Sequence, residues 1–166
     1  MTRPPSPDDR PQEFYSEFDR PEDSPGLMLW RVTNAWQAAQ RATLTPFDLT
    51  HVQFVLLSSL CWLARSEPVT QRRLAEYAHT DIMMTSQVLR RLETKGLLDR
   101  RPHPTDARAR WLVPTDAGLA LANAAGDRVE AADREFFGRL GPDAGSFQAL
   151  LAHLLPPRPA FHNLRD

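Results

Sequence analysis

The sequence predicts a mainly α-helical fold with one small β-wing. Three observations predict it. Apolar residues recur at helical spacing over most of residues 26–155. Two of those segments, near 70–78 and 81–95, are separated only by the turn His79-Thr80-Asp81. Residues 97–101 and 109–113 then read as two strands around a proline-containing turn at 102–106. Two short helices followed by a hairpin define a winged helix-turn-helix. The whole chain is expected to hold about six helices and a two- or three-stranded wing.

Each element has a local reason. Residues 1–25 carry six prolines and an acidic excess, a composition expected to form a disordered arm. In residues 26–43, Leu27, Trp30, Ala35, Ala38 and Ala42 lie along one helical stripe that Leu29, Val32 and Trp36 widen. Thr45-Pro46 breaks the pattern. Thr50 and Gln53 have capping-box spacing and open a helix to about Arg65, apolar nearly all round and so suited to the centre of a bundle. After a short extended piece at 67–69, Thr70 caps a helix to about Ala78, with Leu74 and Tyr77 facing inward. Thr80 or Asp81 caps the next helix, to about Lys95, with Met84, Val88, Leu89 and Leu92 expected in the core. Gly96 ends it. Thr115-Asp116 starts a long helix to about Leu140 whose seam contains Asp133 as its one polar member. A last helix spans about 143–155, where Pro156-Pro157 stops it.

Composition narrows the function. A chain of 166 residues with 42% hydrophobic content suits one domain with an appended arm. The longest apolar run, residues 52–64, is too short for a bilayer, and the N-terminus lacks an apolar signal core, so a cytoplasmic protein without membrane association is expected. A lone cysteine, Cys61, leaves no internal disulfide or multi-cysteine zinc site. The net charge of −1 is unevenly spread: residues 1–25 hold three arginines against seven acids, whereas residues 70–111 hold nine basic residues against five acids. A near-neutral chain with one basic segment fits a local phosphate-binding face, although a solvated surface has the same appearance.

Double-stranded DNA is the expected partner of that segment. With Met84, Val88 and Leu92 inward, the opposite face of the 81–95 helix presents Thr85, Ser86, Gln87, Arg90 and Arg91. Gln pairs bidentately with adenine and Arg with guanine, while hydroxyls suit phosphates or base edges. The hairpin adds Arg100, Arg101, His103, Arg108 and Arg110 around a stiff polar tip. Such a cationic finger calls for an opposing anion. Of the 20 basic residues all but Lys95 are arginine, which favours planar phosphate and minor-groove contacts. Asp106, two positions from Arg108, is placed to hold that guanidinium.

Here the chain resembles the MarR family of winged-helix regulators. The segment TSQVLRRLETKGLLDRR resembles that family's recognition helix running into its wing, and RRPHPTDARARWLVPTDAG is similar to the wing signature. Asp106, Arg108, Thr115 and Gly118 fall on the signature positions, with Pro114 where the family usually has leucine, a change expected to end the second strand a residue early. The resemblance covers about residues 26–156. It implies that Arg108 reaches the minor groove and that Asp106 positions it. It also implies a homodimer, a pseudo-palindromic operator, repression more than activation, and release by a small aromatic or anionic effector. The residues agree with a dimer: the aromatic and leucine content of the first and last helices exceeds what a small DNA-binding lobe can bury. The expected organisation is an arm at 1–25, dimerisation helices at 26–46 and 116–166, and a DNA-binding domain at 47–115.

For the effector, Trp30, Arg31, Asn34, His51 and Phe54 are candidate lining residues: aromatic walls, a cation and polar anchors. Interface core is the plainer account of the same aromatics. Cys61 offers a redox-responsive alternative, but it lies in the most apolar helix and reads first as a buried small hydrophobe. The five histidines show no tight ligand spacing, and no cofactor or metal is expected. No nucleophile, metallohydrolase or phosphate-loop motif is present, so an enzyme is not expected. A winged-helix protein-interaction module without DNA binding is the remaining alternative, and the basic wing argues against it.

Overall fold

The computed structural model describes residues 15–102 and 110–155. They form helices α1 (Pro25–Leu44), α2 (His51–Leu63), α3 (Gln71–Ala78), α4 (Ile82–Thr94), α5 (Asp116–Phe137) and α6 (Ala144–Leu154), with strands β1 (Val69–Thr70), β2 (Leu98–Pro102) and β3 (Arg110–Pro114). The strands make one antiparallel sheet in the order β1-β3-β2. The protein is thus mainly α with a small three-stranded wing sheet, the expected fold class.

The chain divides into two compact units, residues 1–36 and 37–166, so the boundary falls inside α1. In the first unit, a 3-10 turn at Pro21–Asp23, tied by an Arg20–Asp23 ion pair of 2.7 Å, precedes α1. Within the stretch expected to form an arm, residues 21–23 are helical, because Pro21 is compatible with a helix start. Residues 1–14 lie outside the described residues. Met28, Leu29, Trp30 and Val32 are all exposed on this part of α1.

The second unit is built on α2. Its Thr50 hydroxyl accepts from the Gln53 N–H and the Gln53 side chain accepts from the Thr50 N–H, the reciprocal cap that the spacing predicts. Leu56, Leu57 and Leu60 are fully buried, and α2 touches α3, α4, α5 and β3. One side departs from the all-round burial expected of this helix: Trp62 is exposed, with the Arg65 guanidinium 5.0 Å over its ring. Thr70, Asp81 and Thr115 cap α3, α4 and α5 through side-chain oxygens. Between α3 and α4 the chain reverses at His79, held at φ 51°.

Two expectations about chain ends are corrected. Pro114 does not shorten β3. It is the last strand residue, opposite Leu98, because a terminal strand position has no ladder N–H to supply. The long helix does not reach Leu140 but ends at Phe137. A 3-10 segment, Gly138–Asp143, with Gly141 at φ 53°, then turns the chain into α6. Phe137 packs against Phe147 with ring centroids 6.0 Å apart, while Leu150, Leu151, Leu154 and Leu155 stay exposed. The polar member of the α5 seam is also accounted for: Asp133 accepts a 2.6 Å hydrogen bond from the buried Gln40 amide.

Candidate nucleic-acid interface

The second helix of the helix-turn-helix, α4, is oriented by its cap and its buried stripe. Asp81 Oδ1 accepts from the N–H groups of Met83 and Met84, each at 2.9 Å. The inward positions are Thr85, Val88, Leu89 and Leu92. The sequence reading is corrected here. Thr85, expected on the DNA face, is fully buried, and Met84, expected in the core, is 39% exposed. The Thr85 hydroxyl donates to the Asp81 carbonyl at 2.7 Å and lies 2.8 Å from the Thr80 hydroxyl, so the buried oxygen is satisfied inside the lobe. Positions 84 and 85 each continue the 88–92 stripe at helical spacing, and the hydrogen bonds decide between them.

The outward face therefore runs through Met83, Gln87 and Arg90 at i, i+4, i+7, with Ser86 half-buried on one flank and Arg91 exposed on the other. Gln87, Arg90, Arg91 and Ser86 keep the side predicted for them. Met83 is an addition that the sequence reading missed; the Asp81 cap, by fixing where the helix begins, was the available signal.

The wing is anchored beside this helix. Arg100 is drawn back onto Glu93 at 3.0 Å, and Arg101 pairs with Asp99 at 3.1 Å while staying exposed. Arg110, exposed, stands opposite Pro102 in the last strand pair before the wing tip. His103, Asp106 and Arg108, the predicted tip residues, lie outside the described residues. Lys95 closes onto Asp48 at 2.8 Å, Arg72 onto Glu76 at 2.9 Å and Arg73 onto Glu67 at 2.8 Å. Among the described residues of the basic segment, ion pairs leave Arg90, Arg91 and Arg110 unengaged. Those three charges lie on the outer face of α4 and at the outer end of the wing strands, where they are available to phosphates or base edges.

The root of the wing explains two signature residues. The Thr115 hydroxyl donates to the Gly96 carbonyl at 2.7 Å and accepts from the Gly118 N–H at 3.0 Å. Gly118 passes so close to the residue preceding β2 that a Cβ there would sit 1.9 Å from the Leu97 carbonyl oxygen. Only glycine permits that contact between the start of α5 and the end of the α4 turn.

The expected effector residues are distributed over both units. Trp30, Arg31 and Asn34 are exposed residues of the first unit, with the Asn34 amide donating to the Trp30 carbonyl at 2.8 Å. In the second unit, His51 and Phe54 line different clefts. His51 joins Arg41, Thr50, Val55 and Thr80 around a cleft of about 730 Å³. Phe54 lines one of about 590 Å³ between α2 and α5, with Cys61, Trp62 and Arg65. Burial holds the His51 pKa below its ordinary value of 6.5; Asp133 opposes the shift and Arg41 adds to it. Burial likewise pushes the Cys61 thiol up, which suppresses the reactive thiolate. Among the described residues no cluster of His, Cys, Asp or Glu could hold a metal, and no helix is long and apolar enough to cross a membrane.

A capped second helix with its polar face outward, backed by a three-stranded wing, defines a winged helix-turn-helix protein. The MarR family profile matches residues 49–109. The chain is 45% identical over 126 residues to the HTH-type transcriptional regulator YdcH of Bacillus subtilis, covering 75% of this chain and 86% of that protein. It is 32% identical over 135 residues to the HTH-type transcriptional repressor Rv2887 of Mycobacterium tuberculosis, covering 80% and 95%. A mutant MarR from E. coli, solved in complex with operator DNA, superposes with a TM-score of 0.69 at 26% identity, covering 79% of this chain and 93% of that one. The chain belongs to the MarR family of transcriptional regulators.

Proposed function

We propose that the protein is a homodimeric repressor that binds a pseudo-palindromic operator through α4 and the wing. The observation that carries this reading is the placement of the three unengaged arginines, Arg90, Arg91 and Arg110, on one reading helix and the outer end of the wing strands. Ser86 and Gln87 supply base-edge or phosphate contacts, Arg101 supports the wing, and His103 and Arg108 extend it into the minor groove with Asp106 as positioning partner. A relative named as a repressor and a related regulator bound to operator DNA support the reading. The exposed apolar faces of α1 and α6 support a dimer, which sets two reading helices about one DNA turn apart.

The cleft beside His51 and Arg41 is the proposed effector site for a small anionic or aromatic compound, because its wall includes Thr80. The Thr80 hydroxyl touches Thr85 on α4, so an occupant competing for it would disturb the seat of the reading helix. The test of DNA binding is fluorescence anisotropy of the full-length protein on DNA from its own promoter region, across a salt series. Sequence-preferring binding is expected, with Arg90→Ala and Arg108→Ala each weakening it. Where a substituted arginine contacts phosphate, the log–log salt slope should flatten by about two, one contact being lost in each half-site. Binding no tighter than to random DNA, unchanged by either substitution, would favour the protein-interaction alternative.

A further inference from the structure

The outward stripe of α4 begins with an apolar residue that the fold does not use. Met83 is 71% exposed, and its neighbour Ile82 is 43% exposed. Both stand at the N-terminal end of the helix, one turn ahead of Gln87 and two ahead of Arg90 on the outer face. A helix N-terminus commonly meets a phosphate through its free N–H groups. Here the Asp81 carboxylate occupies the Met83 and Met84 N–H groups. The cap therefore adds negative charge where a phosphate would dock, and the end of the helix suits base edges better than backbone. The one apolar group on the floor of the major groove is the C5-methyl of thymine.

We propose that Met83, flanked by Ile82, packs against a thymine methyl in each operator half-site and is a sequence-determining residue of this regulator. The inference rests on the DNA-binding reading above and adds the base class that the leading turn of α4 selects. On the same stripe, Gln87 is then placed for an adenine edge and Arg90 for a guanine edge or a phosphate, so the half-site should carry an A·T-containing step where the helix enters.

The experiment uses the full-length protein and a duplex spanning its protected promoter region, with each thymine replaced singly by deoxyuridine. This removes the methyl and keeps every Watson–Crick hydrogen bond. One or two replacements should weaken the parent protein about fourfold, the value of one buried methyl-sized group. Met83→Ala, which removes the contact from both half-sites, should weaken binding to the all-thymine duplex by about sixteenfold, the square of that factor, and be indifferent to those same replacements, whereas Met83→Leu should keep the preference. Because Met83 is largely exposed and alanine favours helix, both variants should keep the parent's melting temperature. The proposal is overturned if Met83→Ala binds the all-thymine duplex as the parent does, or if the replacements weaken parent and variant alike. A parent that binds no promoter duplex above the random-sequence level would instead overturn the DNA-binding reading itself, and this inference with it.

Discussion

At the scale of single residues, position 85 shows how a hydrogen bond overrides a pattern. A hydroxyl residue on an amphipathic helix reads as surface, yet Thr85 is enclosed because Asp81 and Thr80 satisfy its oxygen. The caps were legible from sequence because they depend on neighbours three residues away, as at Thr50 and Thr115. Thr85 was not, since its partner Thr80 is brought close only by the turn at His79. His51 carries a pH dependence of similar origin. Its folded pKa lies below 6.5, so the unfolded chain takes up the proton more readily. The stability that neutral His51 contributes is complete above about pH 6.5 and is lost as pH falls from there through the lowered folded pKa. His51→Gln should therefore lose less melting temperature than the parent between about pH 7.5 and 5.5, a range set by the histidine titration. Equal losses in the two proteins would remove this account.

At the scale of elements, the wing sheet and α5 are joined at one point. The antiparallel pairing of β2 and β3 was legible from the run of short strands around prolines, but β1 was seen only as an extended piece. Its two-residue ladder to β3 depends on the tertiary approach of Leu112 to Val69. Gly118 was identified by its place in a signature, and the structure supplies the reason: the Leu97 carbonyl occupies the space of a side chain. Gly118→Ala must push α5 away from β2 and strain the Thr115 cap. A loss of about 3 kcal/mol is expected, read as a lowered urea midpoint with an unchanged slope. Gly126→Ala, at a helix position where a Cβ would meet nothing within 4 Å, is the matched control and should be neutral or mildly stabilising.

At the scale of the whole molecule, apolar surface is concentrated on the helices at the two ends of the chain. Leu150 and Leu154 are 64% and 74% exposed on α6, and Trp30 is 67% exposed on α1. The apolar content of both segments already implied more surface than one lobe can bury, but which side chains stay uncovered depends on tertiary packing. If they form the dimer interface, Leu150→Glu with Leu154→Glu should yield a monomer by sedimentation and weaken operator binding, because two half-sites are no longer read together. A dimer of parental affinity would place the interface elsewhere. The junction at Gly118 has a mechanical consequence for such an assembly. At 22 residues, α5 is a rod about 33 Å long whose first turn is fastened beside the root of the wing. A tilt of about 5° at its far end would carry that fastened end through about 3 Å, roughly the rise of one base pair. Small adjustments remote from DNA would thus arrive at the groove as a shift of reading frame, with α5 acting as the lever and Gly118 as its weld.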